Sequence, residues 1–335
     1  MGEGAKPGNI YKMILAYCLW TKTHYKKFEE FDGIKNADIL NKLKKNTVPT
    51  KAVEYSIPEW LAETLEKELG NKWEREMEAL NEQAPTILRA NTLKTTAKEL
   101  ISDLNDENVE SFQIRNYPDA VQLAEKKNVF LTSAFKDGLF EVQDASSQKI
   151  GELLDVHEGM RFVDACAGAG GKPLHLAALM KNKGQIIALD IYEWKLAELK
   201  RRAKRAGAHN IETRYIDDNK VIKRLHEKAD RLLIDAPCSG LGVLKRNPDS
   251  KWKIDQDFID RIKKEQQQIL QDYSKILKKG GKMIYATCSI LPSENNEQVE
   301  TFLKNNDGFS LIKEEKIMPS DGFDGFYMAL IERKA

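Results

Sequence analysis

The 335-residue sequence has few features of secreted, membrane or metal-binding proteins. Its four cysteines show no CxxC spacing, which argues against a zinc site and against a disulfide scaffold. No run of about 18 apolar residues occurs, and residues 1–6 contain no hydrophobic signal core. We therefore expect a cytoplasmic protein with reduced thiols and no bound metal ion.

Excess charge and low-complexity sequence are also absent. The chain carries 53 basic and 52 acidic residues, so binding to a polyanion would require a local basic surface. With 41% hydrophobic residues and 10 prolines, the composition excludes wholesale disorder and fibrous classes. The length favours two or three domains, and we expect a monomer.

Residues 1–145 divide into a helical region, 1–80, and a small α/β module, 81–145. The helical region has an apolar stripe of Ile10, Met13, Ile14 and Tyr17, and Cys18 is interpreted as structural. Ser56 is predicted to cap a helix that has Pro58 in its first turn and ends at Gly70. In the module we predict a helix over Thr96–Asp106 and strands at Thr86–Ala90, Phe112–Ile114 and Val129–Leu131.

Residues 146–335 alternate between strand and helix patterns, which predicts a mostly parallel sheet covered on both faces. Amphipathic helices are predicted over Glu193–Gly207 and Gln256–Lys278. The predicted strands are Met160–Ala165, Gln185–Asp190, Ile211–Ile216, Arg231–Ala236, Lys282–Thr287, Phe309–Ile312 and Gly325–Ile331.

A glycine-rich loop follows the first of these strands and precedes a helix. Such a loop lets the backbone approach a ligand, and the helix N-terminus favours a carboxylate or a phosphate. Asp190 ends the next strand, where nucleotide folds bind ribose hydroxyls. Asp217 or Asp218 could accept a hydrogen bond from an adenine amine, and we favour Asp217. The loop consists of Cys166, Ala167, Gly168, Ala169, Gly170, Gly171 and Lys172. These features alone also fit a dinucleotide dehydrogenase.

Two cysteines follow neighbouring predicted strands. Cys238 comes after the strand that ends at Asp235, and Cys288 comes after the strand that ends at Thr287. The carboxyl ends of adjacent parallel strands meet in one crevice, so both thiols and Asp235 should lie together beside the glycine-rich loop.

These motifs resemble those of the NOL1/NOP2/Sun family of RNA cytosine-5 methyltransferases, and most closely its bacterial Sun/Fmu branch, which methylates 16S ribosomal RNA. The resemblance covers nearly the whole chain. The matching segments are the glycine-rich loop, Arg89–Lys94, Tyr55–Trp60, Asn116–Val121, Val142–Gln148, Asp235–Gly240, Arg246–Trp252, Thr287–Ile290, Glu294–Asn295 and Asp321–Ala329.

The resemblance implies a Rossmann-like class I methyltransferase sheet that binds S-adenosylmethionine through the loop, Asp190, Asp217 and Asp235. It implies that Cys288 is the nucleophile, that Asp235 assists at N3 of the base, and that Cys238 helps to release the product. Lys172 would orient the substrate or bind the cofactor carboxylate.

The resemblance also implies that the 81–145 module is an RRM-like RNA-binding subdomain. Candidate RNA contacts are Arg89, Lys94, Arg246 and Lys251. The basic helix over Glu193–Gly207 either contacts RNA or presents a solvated face.

Three alternatives remain open from the sequence. The first is the same reaction on transfer RNA or at another ribosomal site. The second is an RNA-binding ribosome assembly factor whose catalysis is secondary. The third is a DNA cytosine methyltransferase, against which the Thr287-Cys288 turn and the 81–145 module both argue.

Overall fold

The computed structural model describes residues 7–23, 29–31, 33–44 and 50–335. The chain forms two compact units, Met1–Ser56 and Ile57–Ala335. The segment 1–6, interpreted above as lacking a signal core, lies outside the described residues. The domain boundaries expected near residues 80 and 145 stay predictions, since the second unit contains both.

The first unit contains helices α1 (Pro7–Thr21), α2 (Asn36–Lys44) and α3 (Lys51–Glu54). Its core is built from Leu15, Ala16, Phe31 and Ile39. The predicted stripe beginning at Ile10 does not form this core, because α1 packs through the face that carries Leu15 and Ala16.

The second unit begins with α4 (Glu59–Leu69) and α5 (Trp73–Asn81). The prediction that Ser56 caps α4 is wrong. Pro58 occupies the N-cap position, where its carbonyl accepts hydrogen bonds from Leu61 N at 3.0 Å and Ala62 N at 3.1 Å. The predicted end is confirmed, since Gly70 terminates α4 with a φ of 60°.

A four-stranded antiparallel sheet follows, with the strand order β2-β3-β1-β4. Thr96 caps α6 in a reciprocal arrangement with Glu99, as its sequence favours. The predicted strand at Val129–Leu131 is instead a 3-10 turn, because the Asn128 side chain accepts from Phe130 N and so bends the chain. The elements are β1 (Ile87–Ala90), α6 (Ala97–Asp106), β2 (Ser111–Gln113), β3 (Ala120–Leu123), α7 (Ser133–Lys136) and β4 (Phe140–Val142).

The remainder is a seven-stranded sheet flanked by helices, a mixed α/β fold of the Rossmann-like methyltransferase type. Its strands are β5 (Arg161–Asp164), β6 (Gln185–Asp190), β7 (Ile211–Tyr215), β8 (Ala229–Asp235), β9 (Leu277–Thr287), β10 (Phe309–Ile317) and β11 (Phe326–Arg333). Its helices are α8 (Ala145–Leu154), α9 (Gly171–Leu179), α10 (Glu193–Ala206), α11 (Asn219–Lys223), α12 (Gln256–Tyr273) and α13 (Asn296–Lys304).

The strand order is β10-β11-β9-β8-β5-β6-β7. The five strands from β9 to β7 run parallel, and β11 runs antiparallel to both of its neighbours, β9 and β10. Two separate buried clusters cover the two faces of the sheet. Because β8 lies between β5 and β9, the loops that follow these three strands meet at one edge. The helix predicted to reach Lys278 ends at Tyr273, because β9 already begins at Leu277. No described helix has the length and apolar character needed to cross a membrane.

Candidate active site

The two strand-end cysteines face each other across the sheet edge. Strands β8 and β9 are paired in parallel, with Asp235 opposite Ala286. This register leaves Cys238 and Cys288 on neighbouring loops, with their Sγ atoms 3.3 Å apart. Both are free thiols and are half-buried. The expectation that the two thiols share one crevice therefore agrees with the geometry.

An ion pair joins the glycine-rich loop to the cysteine edge. Lys172 Nζ, in the first turn of α9, lies 2.5 Å from Asp235 Oδ2, and it also lies 5.4 Å from the ring centroid of Phe326. Burial alone would lower the pKa of Lys172, but the charge and hydrogen bond of Asp235 outweigh it and raise the pKa. Lys172 is therefore a cation at neutral pH.

A second carboxylate, Asp164, lies at the end of β5 beneath the loop. It is 1% exposed and accepts a hydrogen bond from Cys166 N. Burial, followed by the charge of Asp235, raises the pKa of Asp164 to about 8. Burial and the same carboxylates raise the pKa of the Cys166 thiol. Sequence reasoning missed Asp164, although a strand-terminal carboxylate directly before the loop was a usable signal.

Both cysteine turns hydrogen-bond to one buried side chain, Glu294. Its Oε1 accepts from the hydroxyls of Ser239, at 2.5 Å, and Ser289, at 2.6 Å. Its Oε2 accepts from Ser239 N at 2.8 Å and from Gln266 Nε2 at 3.0 Å. No chemical role was predicted for Glu294, although its position six residues after Cys288 was a usable signal.

Asn295 fixes the second cysteine turn from the other side. Thr287 Oγ1 donates to its Oδ1 at 2.5 Å, and its Nδ2 donates to Ser289 O at 3.0 Å. Tyr285 OH donates to Glu294 O at 2.8 Å. The backbone of the turn around Cys288 is thus bonded to buried side chains on both flanks.

The glycine-rich loop has the shape of a cradle for a nucleoside-like ligand. Gly168 has a φ of 54° and open space where a side chain would be, and Gly171 also has open space at the first turn of α9. Gly170, with a φ of 89°, packs against Leu199 so closely that a Cβ would lie 2.4 Å from its Cγ. Asp190 accepts from Gly168 N at 2.8 Å, which leaves lone pairs for further donors. These residues fit a ligand that carries both ribose hydroxyls and a carboxylate.

Two arginines support this loop from outside the parallel sheet's core. Arg89, on β1, donates to Gln143 Oε1 and to Gly171 O, the latter at 2.7 Å. Arg202, on α10, donates to Ala169 O at 2.8 Å and pairs with the buried Glu141 of β4 at 2.9 Å.

The side chains proposed to contact RNA mostly have protein partners. Arg89 is only 3% exposed and donates to the loop carbonyl of Gly171. Its RNA contact stays a prediction. Lys94 Nζ donates to Asp137 O at 2.6 Å and to Arg205 O at 2.7 Å. Burial lowers the pKa of Lys251, which is 6% exposed, and its RNA contact stays a prediction.

Arg246 lies in a cluster with two acidic side chains. Its Nε donates to Asp324 at 2.6 Å and its Nη2 donates to Asp144 at 2.9 Å. Its role in RNA binding stays a prediction.

The two aspartates after β7 have different surroundings. Asp218 caps α11, since its carboxylate accepts from Lys220 N at 2.7 Å. Asp217 is exposed beside it. The adenine contact of Asp217 stays a prediction. Among the described residues, no group of three or more His, Cys, Asp or Glu side chains is arranged to hold a metal ion.

Comparison with known proteins matches this chain to two family models. Residues 152–331 match the 16S rRNA methyltransferase RsmB/F family, and residues 57–130 match the ferredoxin-like domain of RsmF/B-like methyltransferases. The second match includes helices α4 and α5 as well as part of the four-stranded sheet.

Relatives of the same kind extend over most of the chain. The ribosomal RNA small subunit methyltransferase B of Proteus mirabilis is 33% identical over 84% of this chain and 66% of its own length. That of Yersinia enterocolitica is 36% identical, over 83% and 67% respectively. The chain thus spans about two thirds of the length of these relatives.

A solved structure also shares the fold. A methyltransferase homologue protein from Pyrococcus horikoshii superposes with a TM-score of 0.75 at 26% identity, over 85% of this chain and 98% of that one. Together with the family models, these similarities confirm the family that the motifs indicated. The chain belongs to the 16S rRNA methyltransferase RsmB/F family.

Proposed function

We propose that this chain transfers a methyl group from S-adenosylmethionine to C5 of a cytosine in RNA, with 16S ribosomal RNA as the leading substrate. The observation that carries the proposal is the pair of thiols 3.3 Å apart, beside the Lys172–Asp235 ion pair. The names of the relatives from Proteus mirabilis and Yersinia enterocolitica support a ribosomal RNA substrate.

The glycine-rich loop, residues 166–172, is the proposed cofactor site. Asp190 would bind the ribose hydroxyls, Asp217 the adenine amine, and the N-terminus of α9 the carboxylate. Bound S-adenosylmethionine would supply an electrophilic methyl group. Lys172 and Asp235 border both the loop and the thiols.

Cys288 is the proposed nucleophile. C5 of cytosine is a poor nucleophile until a thiolate adds to C6, which makes C5 enamine-like. The Cys288 thiolate would form this bond to C6, and the displaced electron pair would reach N3. After transfer, C5 bears both a hydrogen and the new methyl group.

Asp235 and Lys172 are the proposed partners of N3. The adduct gains negative charge at N3, which a positioned acid neutralises. The ion pair places Lys172 Nζ, which carries the ammonium protons, 2.5 Å from Asp235 Oδ2. The pair would therefore deliver a hydrogen bond or a proton to N3.

Cys238 is the proposed base that releases the product. Its pKa is raised by the hydrogen bond to Cys288, by burial and by the Cys288 charge, so it keeps its proton while Cys288 is the free thiolate. Once Cys288 is bonded to C6, its hydrogen bond and charge no longer act on Cys238. The Cys238 thiol would then lose its proton to solvent, and the resulting thiolate would take the C5 proton. The electrons of the C5–H bond form the C5–C6 double bond, the C6–S bond breaks to regenerate the Cys288 thiolate, and any proton delivered to N3 returns to Asp235.

The two single-cysteine variants test this division of labour. With 16S ribosomal RNA and methyl-labelled cofactor, Cys288→Ala should abolish methyl transfer. Cys238→Ala should accumulate protein covalently bound to RNA, visible as a slowly migrating band on denaturing gels. Cys18→Ala, at a buried cysteine of the first unit, is the control and should retain activity.

Full activity in Cys288→Ala would contradict the mechanism. Bisulfite sequencing of ribosomal and transfer RNA from a strain that lacks the gene would identify the substrate. Loss of a mark on transfer RNA or at another ribosomal site would replace the leading substrate. If no cytosine loses its mark, an assembly factor becomes the better explanation.

A further inference from the structure

We propose that Glu294 is a positioning residue that joins the two cysteine turns into one unit and places a buried carboxylate next to Cys238. The proposal rests on the proposed function for the order of events at the thiols. The geometry around Glu294 does not depend on that function.

Glu294 is fully buried, with 0% of its surface exposed. It ends the 3-10 turn Pro292–Glu294, which follows the Cys288 turn. Burying a carboxylate is unfavourable unless hydrogen bonds compensate it. Four donors, described above, point at its two oxygens. An apolar side chain would fill the same space at lower cost but would bond to neither turn.

The two turns are built alike around this carboxylate. Each cysteine is followed directly by a serine whose hydroxyl donates to Glu294 Oε1. Each serine hydroxyl also accepts from the backbone two residues later, from Leu241 N at 3.3 Å and from Leu291 N at 3.1 Å. Since Ser239 and Ser289 are covalently adjacent to the cysteines, fixing the serines fixes the spacing of the two Sγ atoms.

The charge of Glu294 adds to the geometry. Its Oε2 accepts from Ser239 N, the backbone amide that follows Cys238. Its charge contributes to raising the pKa of the Cys238 thiol, after the hydrogen bond to Cys288, burial and the Cys288 charge. A negative neighbour opposes formation of a second thiolate in the site. Glu294 therefore opposes early ionisation of Cys238 and restricts attack to Cys288.

Two substitutions separate charge from position. Glu294→Gln keeps the shape and removes the charge, and Glu294→Asp keeps the charge and withdraws the oxygens by one methylene. Glu297→Gln, on the exposed face of α13, is the matched control.

The first measurement is alkylation of Cys238 by iodoacetamide between pH 6 and 10 in the full chain, resolved by peptide mass spectrometry. Cys288→Ser is the background, so that the Glu294 charge acts without the second thiol. Glu294→Gln should shift the midpoint of alkylation by about one pH unit toward acid. Glu294→Asp and Glu297→Gln should leave it unchanged. An unchanged midpoint in Glu294→Gln would overturn the charge role.

The second measurement is methyl transfer with Cys288 intact. Both Glu294 variants should lower kcat at least tenfold at unchanged KM for RNA, whereas Glu297→Gln should not. A wild-type kcat in Glu294→Asp would overturn the positioning role.

If the Glu294 variants fail to fold, the serines replace them in a double-mutant cycle. Ser239→Ala and Ser289→Ala each remove a hydroxyl donor to the same carboxylate. The two hydroxyls also hydrogen-bond to each other, with 3.2 Å between their oxygens. Coupled turns therefore require non-additive effects on kcat, and additive effects would overturn the proposal. The alkylation assay needs no RNA. If the midpoint of Cys238 alkylation shifts but the protein methylates no cytosine, the proposed function is refuted. Glu294 would still be the source of the charge that acts on Cys238.

Discussion

The cysteine turns and the glycine-rich loop lie at the same sheet edge but are supported in different ways. The cysteine turns, residues 235–242 and 287–295, are bonded to side chains of the same α/β domain, chiefly Glu294 and Asn295. The glycine-rich loop is bonded to Arg202 of α10 and to Arg89 of the four-stranded sheet.

The Lys172–Asp235 ion pair joins the two regions, but the contacts that support the backbone of each region differ. A change in the four-stranded sheet should leave the spacing of the thiols intact, because none of the bonds to Glu294 comes from that sheet. The same change should reach the glycine-rich loop directly at the carbonyl of Gly171, through Arg89. It should reach the carbonyl of Ala169 indirectly, through the ion pair of Glu141 with Arg202. The small subdomain is therefore part of the loop's support as well as a candidate RNA-binding surface.

The largest effect is expected from Arg202→Met. Glu141 is 4% exposed and pairs with Arg202 at 2.9 Å and Arg205 at 2.5 Å. Arg205 still pairs with Glu141 in this variant, but Arg202→Met removes two hydrogen bonds to the buried carboxylate, from Nε at 3.2 Å and from Nη2 at 2.9 Å. Because hydrogen bonds to charged groups each contribute roughly 1.5 to 3 kcal/mol, the free energy of unfolding should fall by about 3 kcal/mol. Urea denaturation followed by circular dichroism measures this loss.

The neighbouring residue provides the control. Arg201 pairs with Glu198 on the solvent side of α10, and its side chain is 77% exposed. Exposed pairs contribute roughly 0 to 1 kcal/mol, so Arg201→Met should be nearly neutral. If Arg202→Met lowered the free energy of unfolding as little as Arg201→Met, the link between α10 and β4 would contribute little to stability.

A smaller effect, which depends on pH, is expected from Asp164→Asn. Asp164 has a folded pKa raised to about 8 by burial and by Asp235, whereas the unfolded carboxyl ionises near pH 3.9. The contribution of protonated Asp164 to the free energy of unfolding is fully present below pH 3.9, and it is lost as the pH rises from there through 8. Between pH 5 and 7 the native chain should lose roughly 2 kcal/mol relative to Asp164→Asn. Unfolding free energies at both pH values test this.

Asp164 also contrasts with Glu294. Among the described residues, Asp164 accepts one hydrogen bond, from Cys166 N, whereas Glu294 accepts four. A stability difference between Asp164→Asn and the native chain that stays constant from pH 5 to 7 would show that Asp164 is ionised in the folded state.

Local sequence patterns were enough to predict the parallel sheet and the meeting of its strand ends. The strand Gln185–Asp190 has the predicted bounds, and the cysteines lie together because parallel strands end at one edge. The motif residues were therefore placed by rules that depend only on neighbours in the chain.

The missed features depend on contacts between residues far apart in sequence. Glu141 and Arg202 are 61 residues apart, and Ser239 and Glu294 are 55 apart, so no local periodicity links them. Arg89 carries the positive charge expected of a phosphate contact. It is buried and donates to the carbonyl of Gly171, and nothing in the local sequence indicates that contact. The turn at Val129–Leu131 has strand-forming residues, and the Asn128 cap overrides their preference.

The smallest effect is expected from Arg89→Met, which tests whether Arg89 supports the glycine-rich loop. Arg89→Met should weaken binding of S-adenosylmethionine about tenfold, about 1.4 kcal/mol, because the carbonyl of Gly171 loses its guanidinium partner. Burial lowers the pKa of Arg89 to about 10, so the lost group is a cation at neutral pH. Isothermal titration calorimetry measures the affinity. Arg115→Met, at an exposed arginine of the same subdomain, should bind normally.

Ser239→Ala completes this test from the other side of the sheet edge. It removes a hydroxyl that bonds to Glu294 and contacts no part of the loop described above, so cofactor affinity should be unchanged while methyl transfer falls. If instead Ser239→Ala weakened cofactor binding as much as Arg89→Met, the two regions would share one support. The cysteine turns and the glycine-rich loop would then have to be treated as a single cooperative unit, because a disturbance in either would reach the other.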